Sequence, residues 1–255
     1  RHQGVVFRGG DAPVRDLFAR PVLGDLIALA AAHGTALRAG AGEPGDPVPD
    51  TVGDTDPEPC MSAHQEQMWF LHRLTPRNPV YNGSRRIRVR GPLDLQALEW
   101  ALCEVYRRHE SLRLGYENDA GQPLPVVHER VRAHIEQVDL SGLPGGERER
   151  ALRRHVDAEL ARQFTLSQPP LERWTAFRLA PDEHDLLVVA HHILHDGWSF
   201  AVELREAEEL YNARISGAVP RLPEPELQYG AYARAQRRAL DTPEMRAHLA
   251  YWREK

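Results

Sequence analysis

Between Ala190 and Ser199 the chain reads AHHILHDGWS, which places three histidines, an aspartate and a serine within ten positions. His192 falls where an apolar, strand-like run gives way to a loop. There a neutral imidazole with a pKa of about 6.5 is suited to take a proton from an attacking amine or hydroxyl near pH 7. Asp196 then has a structural part, its carboxylate pairing with a nearby arginine to lock the loop. Gly197 supplies a backbone conformation or a close approach that a Cβ would block. A helix opening at this point would add the partial positive charge of its first amides near a developing oxyanion. Other readings of the same residues compete. His191 and His195, at i and i+4, would share a face and ligate a metal with Asp196 only in a helix, which Gly197 and the preceding strand oppose. Ser199, His192 and Asp196 have the composition of a nucleophilic triad but crowd into one short segment, whereas triads draw on separate elements. The plainest reading makes His191 and His192 hydrogen-bonded strand-end histidines and Asp196 an N-cap. No metal and no directly bound cofactor are expected.

The elements that must position this segment are legible on both sides of it. Leu186 to Ala190 is a near-continuous apolar run, as in a central strand covered on both faces, and Trp174 to Leu179 reads as its neighbour. From Trp198 to Ile215 the residues Phe200, Leu204, Ala207, Tyr211 and Ile215 line one side of a helix. Upstream, Ser62 and Gln65 form an S-x-x-Q capping box for a helix over about 63–73. Ile87 and Val89 alternate with arginines as in a half-buried strand. Asp94 caps a helix carrying Leu95, Leu98, Leu102 and Val105 on one face. Short strands are expected around 112–117, 124–129 and 133–138, then a charged helix over about 146–163. Two more helices, about 227–240 and 243–253, follow the central segment. This irregular alternation gives the α/β class, an α+β two-layer sandwich, with no internal repeat.

The chain of 255 residues is 42% apolar with a net charge of -5. No apolar run approaches the roughly 18 residues of a membrane span, so no membrane partner is expected and the cytoplasm is the default compartment. The scattered basic residues give no case for nucleic acid. Cys60 and Cys103 stand in unrelated contexts, against a disulfide framework or a zinc cluster. Residues 34–59 are dense in Gly, Pro and Asp and read as a flexible linker. Residues 14–32 before it show a helical pattern too short to fold alone, and 60–255 is the folding unit. A chain that opens on Arg1 and stops at YWREK is expected to be a piece of a longer polypeptide.

His191 to Asp196 also has the HxxxxD spacing of membrane glycerolipid acyltransferases, without the hydrophobic anchoring of that family. Four elements in order make a stronger match: SAHQEQMWFL (Ser62 to Leu71), RHESLR (Arg108 to Arg113), AHHILHDGWS and QYGAYARAQR (Gln228 to Arg237), with GPLDLQALEWAL between the first two. Together they resemble the condensation domains of nonribosomal peptide synthetases, in the HHxxxDG superfamily that includes chloramphenicol acetyltransferase. The sequence departs from the family pattern at His64, Gln67, Ala231 and Ala235.

The resemblance implies a chloramphenicol acetyltransferase-like N-terminal lobe. It makes His192 the catalytic or positioning imidazole, with Asp196 and Gly197 beside it and His191, Arg108, Arg113, Trp198 and Ser199 in support. Arg113 is the arginine expected to pair with Asp196. The implied reaction is amide formation between donor and acceptor thioesters on the phosphopantetheine arms of upstream and downstream carrier domains, in an assembly line that also holds an adenylation domain. The implied tunnel needs a C-terminal lobe that this chain lacks, so the isolated chain is expected to be inactive. Residues 1–33 resemble the end of a carrier domain, or an amphipathic linker helix, and no serine precedes Ser62 to carry the arm. A coenzyme A-dependent acyltransferase of the same superfamily and a non-catalytic docking module are the alternatives.

Overall fold

Residues 60–75, 78–240 and 242–255 are described by the computed structural model; the expected carrier-like helix and the linker lie outside them. Ser62 and Gln65 close the expected capping box, each side chain bonding the other's backbone, and start α1 (Ala63–Leu74). A short turn at Pro79–Tyr81 leads into β1 (Asn82–Arg90), where buried Ile87 and Val89 alternate with arginines. Arg86 and Arg88 both reach the buried carboxylate of Asp185. The Asp94 carboxylate accepts from the Ala97 amide at 3.0 Å and opens α2 (Leu95–Arg108). Leu98, Leu102 and Val105 of its apolar face are buried.

The sequence pattern predicts a strand from about residue 112. Instead Glu110–Arg113 form a 3-10 turn, because the chain must reverse out of α2 before extending. It then forms the hairpin of β2 (Leu114–Asp119) and β3 (Gln122–Val127). Ala120 and Gly121, with φ of 47° and 92°, both take the left-handed conformation that two-residue hairpin turns require. The remaining elements are β4 (Ile135–Asp139), α3 (Gly145–Ala161), β5 (Glu172–Ala180), β6 (Glu183–His191), α4 (Gly197–Ser216), α5 (Tyr229–Leu240) and α6 (Pro243–Glu254).

The main sheet has the order β1-β6-β5-β4. β6 pairs antiparallel with both neighbours, and β4 joins β5 in parallel after α3 makes the crossover. Strand alternation sorts side chains onto two faces. On one, Trp174 stacks on Phe200 of α4, and Tyr106 of α2 reaches Glu172. On the other, α3 sets His155 edge-on to Phe177 and Glu159 against Arg173. The mixed class read from the sequence holds, with helices on both sides of the sheet rather than one. β6, covered on both faces, is the near-continuous apolar strand expected.

Leu102 is fully buried in the α2 layer. Leu102→Ala is expected to lower stability by about 2–5 kcal/mol, measured as a shift of the urea unfolding midpoint with an unchanged slope.

Candidate functional site

The site forms where β6 ends. The His191 amide donates to the Leu171 carbonyl at 2.9 Å and the His192 amide to the Tyr81 carbonyl at 2.8 Å. Leu194 then closes a turn onto the His191 carbonyl at 2.9 Å. The pleat sends the two imidazoles opposite ways. His191 is buried among Phe164, Tyr81 and His72, and its Nδ1 accepts from the Ile193 amide at 3.1 Å. Burial, with His72 and His192 close by, lowers its pKa to about 3. It is a neutral core residue that shapes the turn.

His192 is exposed and its ring lies over β1. A Cβ on Gly83 would come 3.3 Å from His192 Nε2, so the absence of a side chain at 83 makes the seat for the imidazole. Sequence reasoning missed Gly83, although a glycine inside a strand is the signal for such a close approach. The His192 pKa is lowered from its ordinary value by partial loss of hydration first, then by His195 and the Arg85 guanidinium, against the His195 backbone, which acts the other way. The ring is therefore neutral at pH 7.

Asp196 is the N-cap of α4. Its Oδ1 accepts from the Ser199 amide and from the Ser199 hydroxyl, both at 2.9 Å, and these bonds hold its carboxyl below the usual range. One expectation is corrected here. Arg113 does not pair with Asp196: its Nε donates to the Tyr106 carbonyl at 2.9 Å and its Nη1 to the His128 carbonyl at 2.6 Å, fastening the 3-10 turn instead. Ser199 and Asp196 bond each other directly, so no triad runs through His192. The first-turn Ser199 amide is taken by the cap and is not open to an oxyanion.

Gly197 lies outside the left-handed region, and its part is close approach: a Cβ would meet Arg85 Nη2 at 3.2 Å. Arg85 lies over the Phe200 ring at 5.1 Å. Trp198 is exposed. His191, His195 and Asp196 do not converge on a metal position. Among the described residues, the group of three or more possible ligands is Glu172, His195 and Glu203.

Arg108 is buried and pairs with Glu206 of α4 at 2.8 Å, while His109 Nε2 lies 2.9 Å from the same carboxylate. Against the desolvation that opposes them, the hydrogen bonds from His109 and Arg108 hold Glu206 at about 2. The Gln228 side chain bonds the Arg108 carbonyl at 2.8 Å and the Glu110 amide at 3.0 Å, and the Glu110 carboxylate accepts from the Gly230 amide. The Ser62 and Tyr229 hydroxyls lie 2.9 Å apart. The first, second and fourth sequence elements are thus bonded into one frame, and Glu206 ties that frame to the helix that follows the loop.

The Condensation domain family model matches residues 58–255. The chain belongs to the condensation-domain family. This condensation domain is 40% identical to a linear gramicidin synthase of Brevibacillus parabrevis over 195 residues, 76% of this chain and 4% of that protein. It is 36% identical to phosphinothricin tripeptide synthetase PhsC of Streptomyces viridochromogenes over 220 residues, 86% of this chain and 20% of that one. The chain therefore spans a small part of the length of these relatives. Among solved structures, SgcC5 protein from Streptomyces globisporus shares 29% identity with a TM-score of 0.67, covering 77% of this chain and 45% of that one. The starter condensation domain of rhizomide synthetase RzmA, at 21% identity and a TM-score of 0.68 over 77% of this chain and 49% of its own, shares the chloramphenicol acetyltransferase-like fold. Among the described residues, no helix of this condensation domain is long and apolar enough to cross a membrane.

Burial of neutral imidazoles has a sign. Unfolded histidines take up protons near pH 6.5, while His191, and with it His72, His184 and His192, resist protonation when folded. The folded state then binds fewer protons, so stability is greatest above about pH 6.5 and falls as the pH drops below it. The urea midpoint is expected to decrease between about pH 7.5 and 5.5, and His192 to titrate below 6.5 in a proton–nitrogen correlation spectrum.

Proposed function

We propose that this condensation domain joins a donor acyl or peptidyl thioester to the amine of an acceptor aminoacyl thioester, each carried on the phosphopantetheine arm of a partner carrier domain. The observation that carries the reading is the exposed, neutral His192 imidazole seated over Gly83 at the end of β6. A neutral imidazole carries its proton on one ring nitrogen and leaves the other to accept from an incoming amine. As the amine nitrogen bonds to the thioester carbon, the carbonyl π electrons move onto oxygen. His192 accepts an amine proton. Collapse re-forms the carbonyl and breaks the C–S bond, and the thiol leaves with the proton. Because a thioester is already activated, holding the amine in line contributes a large share of the barrier reduction.

The same reading gives Asp196, Gly197 and Ser199 the work of fixing the turn that carries His192, and Arg108 and Arg113 that of fixing the frame behind it. His191 and Trp198 support the loop from its buried and its exposed side. The partners are the upstream and downstream carrier domains, an adenylation domain that loads them, and a second lobe completing the tunnel. The cytoplasm, where such carriers are loaded, is the proposed compartment.

In the full-length synthetase with both carriers loaded, His192→Ala is expected to slow single-turnover amide formation by roughly 10²–10⁴-fold, followed by mass spectrometry of the carrier-bound product. Gly83→Ala, which pushes on the imidazole from β1, is expected to slow it by up to about 10²-fold with an unchanged melting temperature. Undiminished product from His192→Ala would overturn the assignment.

A further inference from the structure

Beneath the loop, on the sheet face that carries α2 and α4, three side chains from three elements converge. They are Glu172 at the start of β5, His195 in the loop and Glu203 in α4. His195 Nε2 lies 3.4 Å from Glu172 Oε2 and 3.6 Å from Glu203 Oε2, and the three atoms fall within 4.8 Å of one another. Glu172 and Glu203 keep only 2% and 3% of their exposure. Glu172 Oε2, His195 Nε2 and both carboxylate oxygens of Glu203 are buried without a hydrogen-bond partner.

The other oxygen of Glu172 is treated differently. Its Oε1 accepts from the Tyr106 hydroxyl at 2.5 Å and from Trp174 Nε1 at 2.8 Å. Two donors thus fix the carboxylate's orientation and aim Oε2 into the trio. This is how outer groups orient a metal ligand. Polar atoms buried without partners are costly, and one from each of three residues gathered at one place calls for an occupant.

We propose that Glu172, His195 and Glu203 bind a divalent transition-metal cation, zinc by its donor set, which ties the loop carrying His192 to β5 and α4. Zinc takes imidazole nitrogen and carboxylate oxygen at about 2.0–2.2 Å, and the edge of such a tetrahedron is about 3.3–3.6 Å. The two separations from His195 match that edge. Two buried carboxylates carry a charge that a dication cancels. Calcium and magnesium prefer oxygen throughout, which a histidine at the centre of the trio disfavours. A metal here lies beneath the loop and positions it. The sequence points away from a metal because, along the loop itself, His191 and Asp196 face elsewhere; the fold brings two ligands from other elements.

The rival occupant is a proton. Burial beside Glu172 raises the Glu203 pKa well above the usual range, and a protonated Glu203 could donate to Glu172 with no metal present. The test uses the full-length polypeptide grown with added zinc and gel-filtered, its metal measured by plasma mass spectrometry. Wild type is expected to retain about one more zinc per chain than Glu203→Gln or His195→Asn. Tyr106→Phe is expected to keep the site but weaken zinc binding by roughly 10–100-fold. On wild type alone, a chelator is expected to lower the melting temperature and zinc to restore it. Cobalt in place of zinc should give the visible absorption of a tetrahedral ion, lost in Glu203→Gln. Equal zinc in wild type and both ligand variants, or a melting temperature indifferent to chelator and zinc, overturns the proposal and leaves the trio as a proton-sharing cluster.

Discussion

Much of this molecule depends on one buried ion pair, Arg108 with Glu206. It joins the last turn of α2 to the middle of α4 where both helices have left the apolar centre of their interface, and the arginine side chain is only 5% exposed. Taking both charges from water is expensive, and removing either partner would strand the other at a cost of about 3–5 kcal/mol. Geometry follows from that constraint. With Arg108 pinned, His109 is delivered to the same carboxylate and the chain must turn at once. The turn offers the backbone groups that the Gln228 side chain bonds and the Glu110 carboxylate that accepts from the Gly230 amide of α5. α5 in turn meets α1 through Tyr229 and Gln236. A path of specific polar contacts therefore runs through the first, second and fourth sequence elements and ends on α4, the helix that opens at the end of the loop.

The loop shows how one strand assigns opposite tasks to adjacent, chemically identical residues. His191 is on the α3 side of β6 and is kept neutral by apolar neighbours. One peptide further on, His192 faces a glycine on the neighbouring strand and reaches solvent. A single-residue slip of β6 against β1 would exchange their surroundings. Register is thus part of the chemistry, and it is set by the salt-bridged end of the pairing, where Arg88 meets Asp185 and Glu183, as much as by the apolar run.

Periodicity alone places nearly every helix and strand, because Leu98, Leu102 and Val105, or Leu186 to Ala190, report burial directly through their spacing. Capping residues such as Ser62 and Asp94 fix the helix starts for the same local reason. Contacts formed across the fold are harder to read. The pairing of Arg113 escapes the sequence because its partners are backbone carbonyls, which have no sequence signature. The layer added by α3 packs Leu152 with the polar His155 and Glu159, whose contacts to the sheet have no sequence signature. Gly83 is easily overlooked because its significance lies in an imidazole more than a hundred positions away. Glu172 and Glu203 read as ordinary members of a strand and a helix, since nothing local distinguishes a buried carboxylate from an exposed one.

The pairing of β1 with β6 joins residue 82 to residue 191, and that has a consequence for how the chain is made. A ribosome adding roughly 5–20 residues per second leaves β1 outside the exit tunnel for something like 5–20 s before its partner emerges. Throughout that interval the strand is an open edge of the kind that recruits copies of itself. Its arginines, at 85, 86, 88 and 90, make a second nascent β1 a poor partner by simple repulsion. Two of them later find Asp185, which arrives with β6. The charges that close the sheet in the finished protein act first as a guard on the growing one.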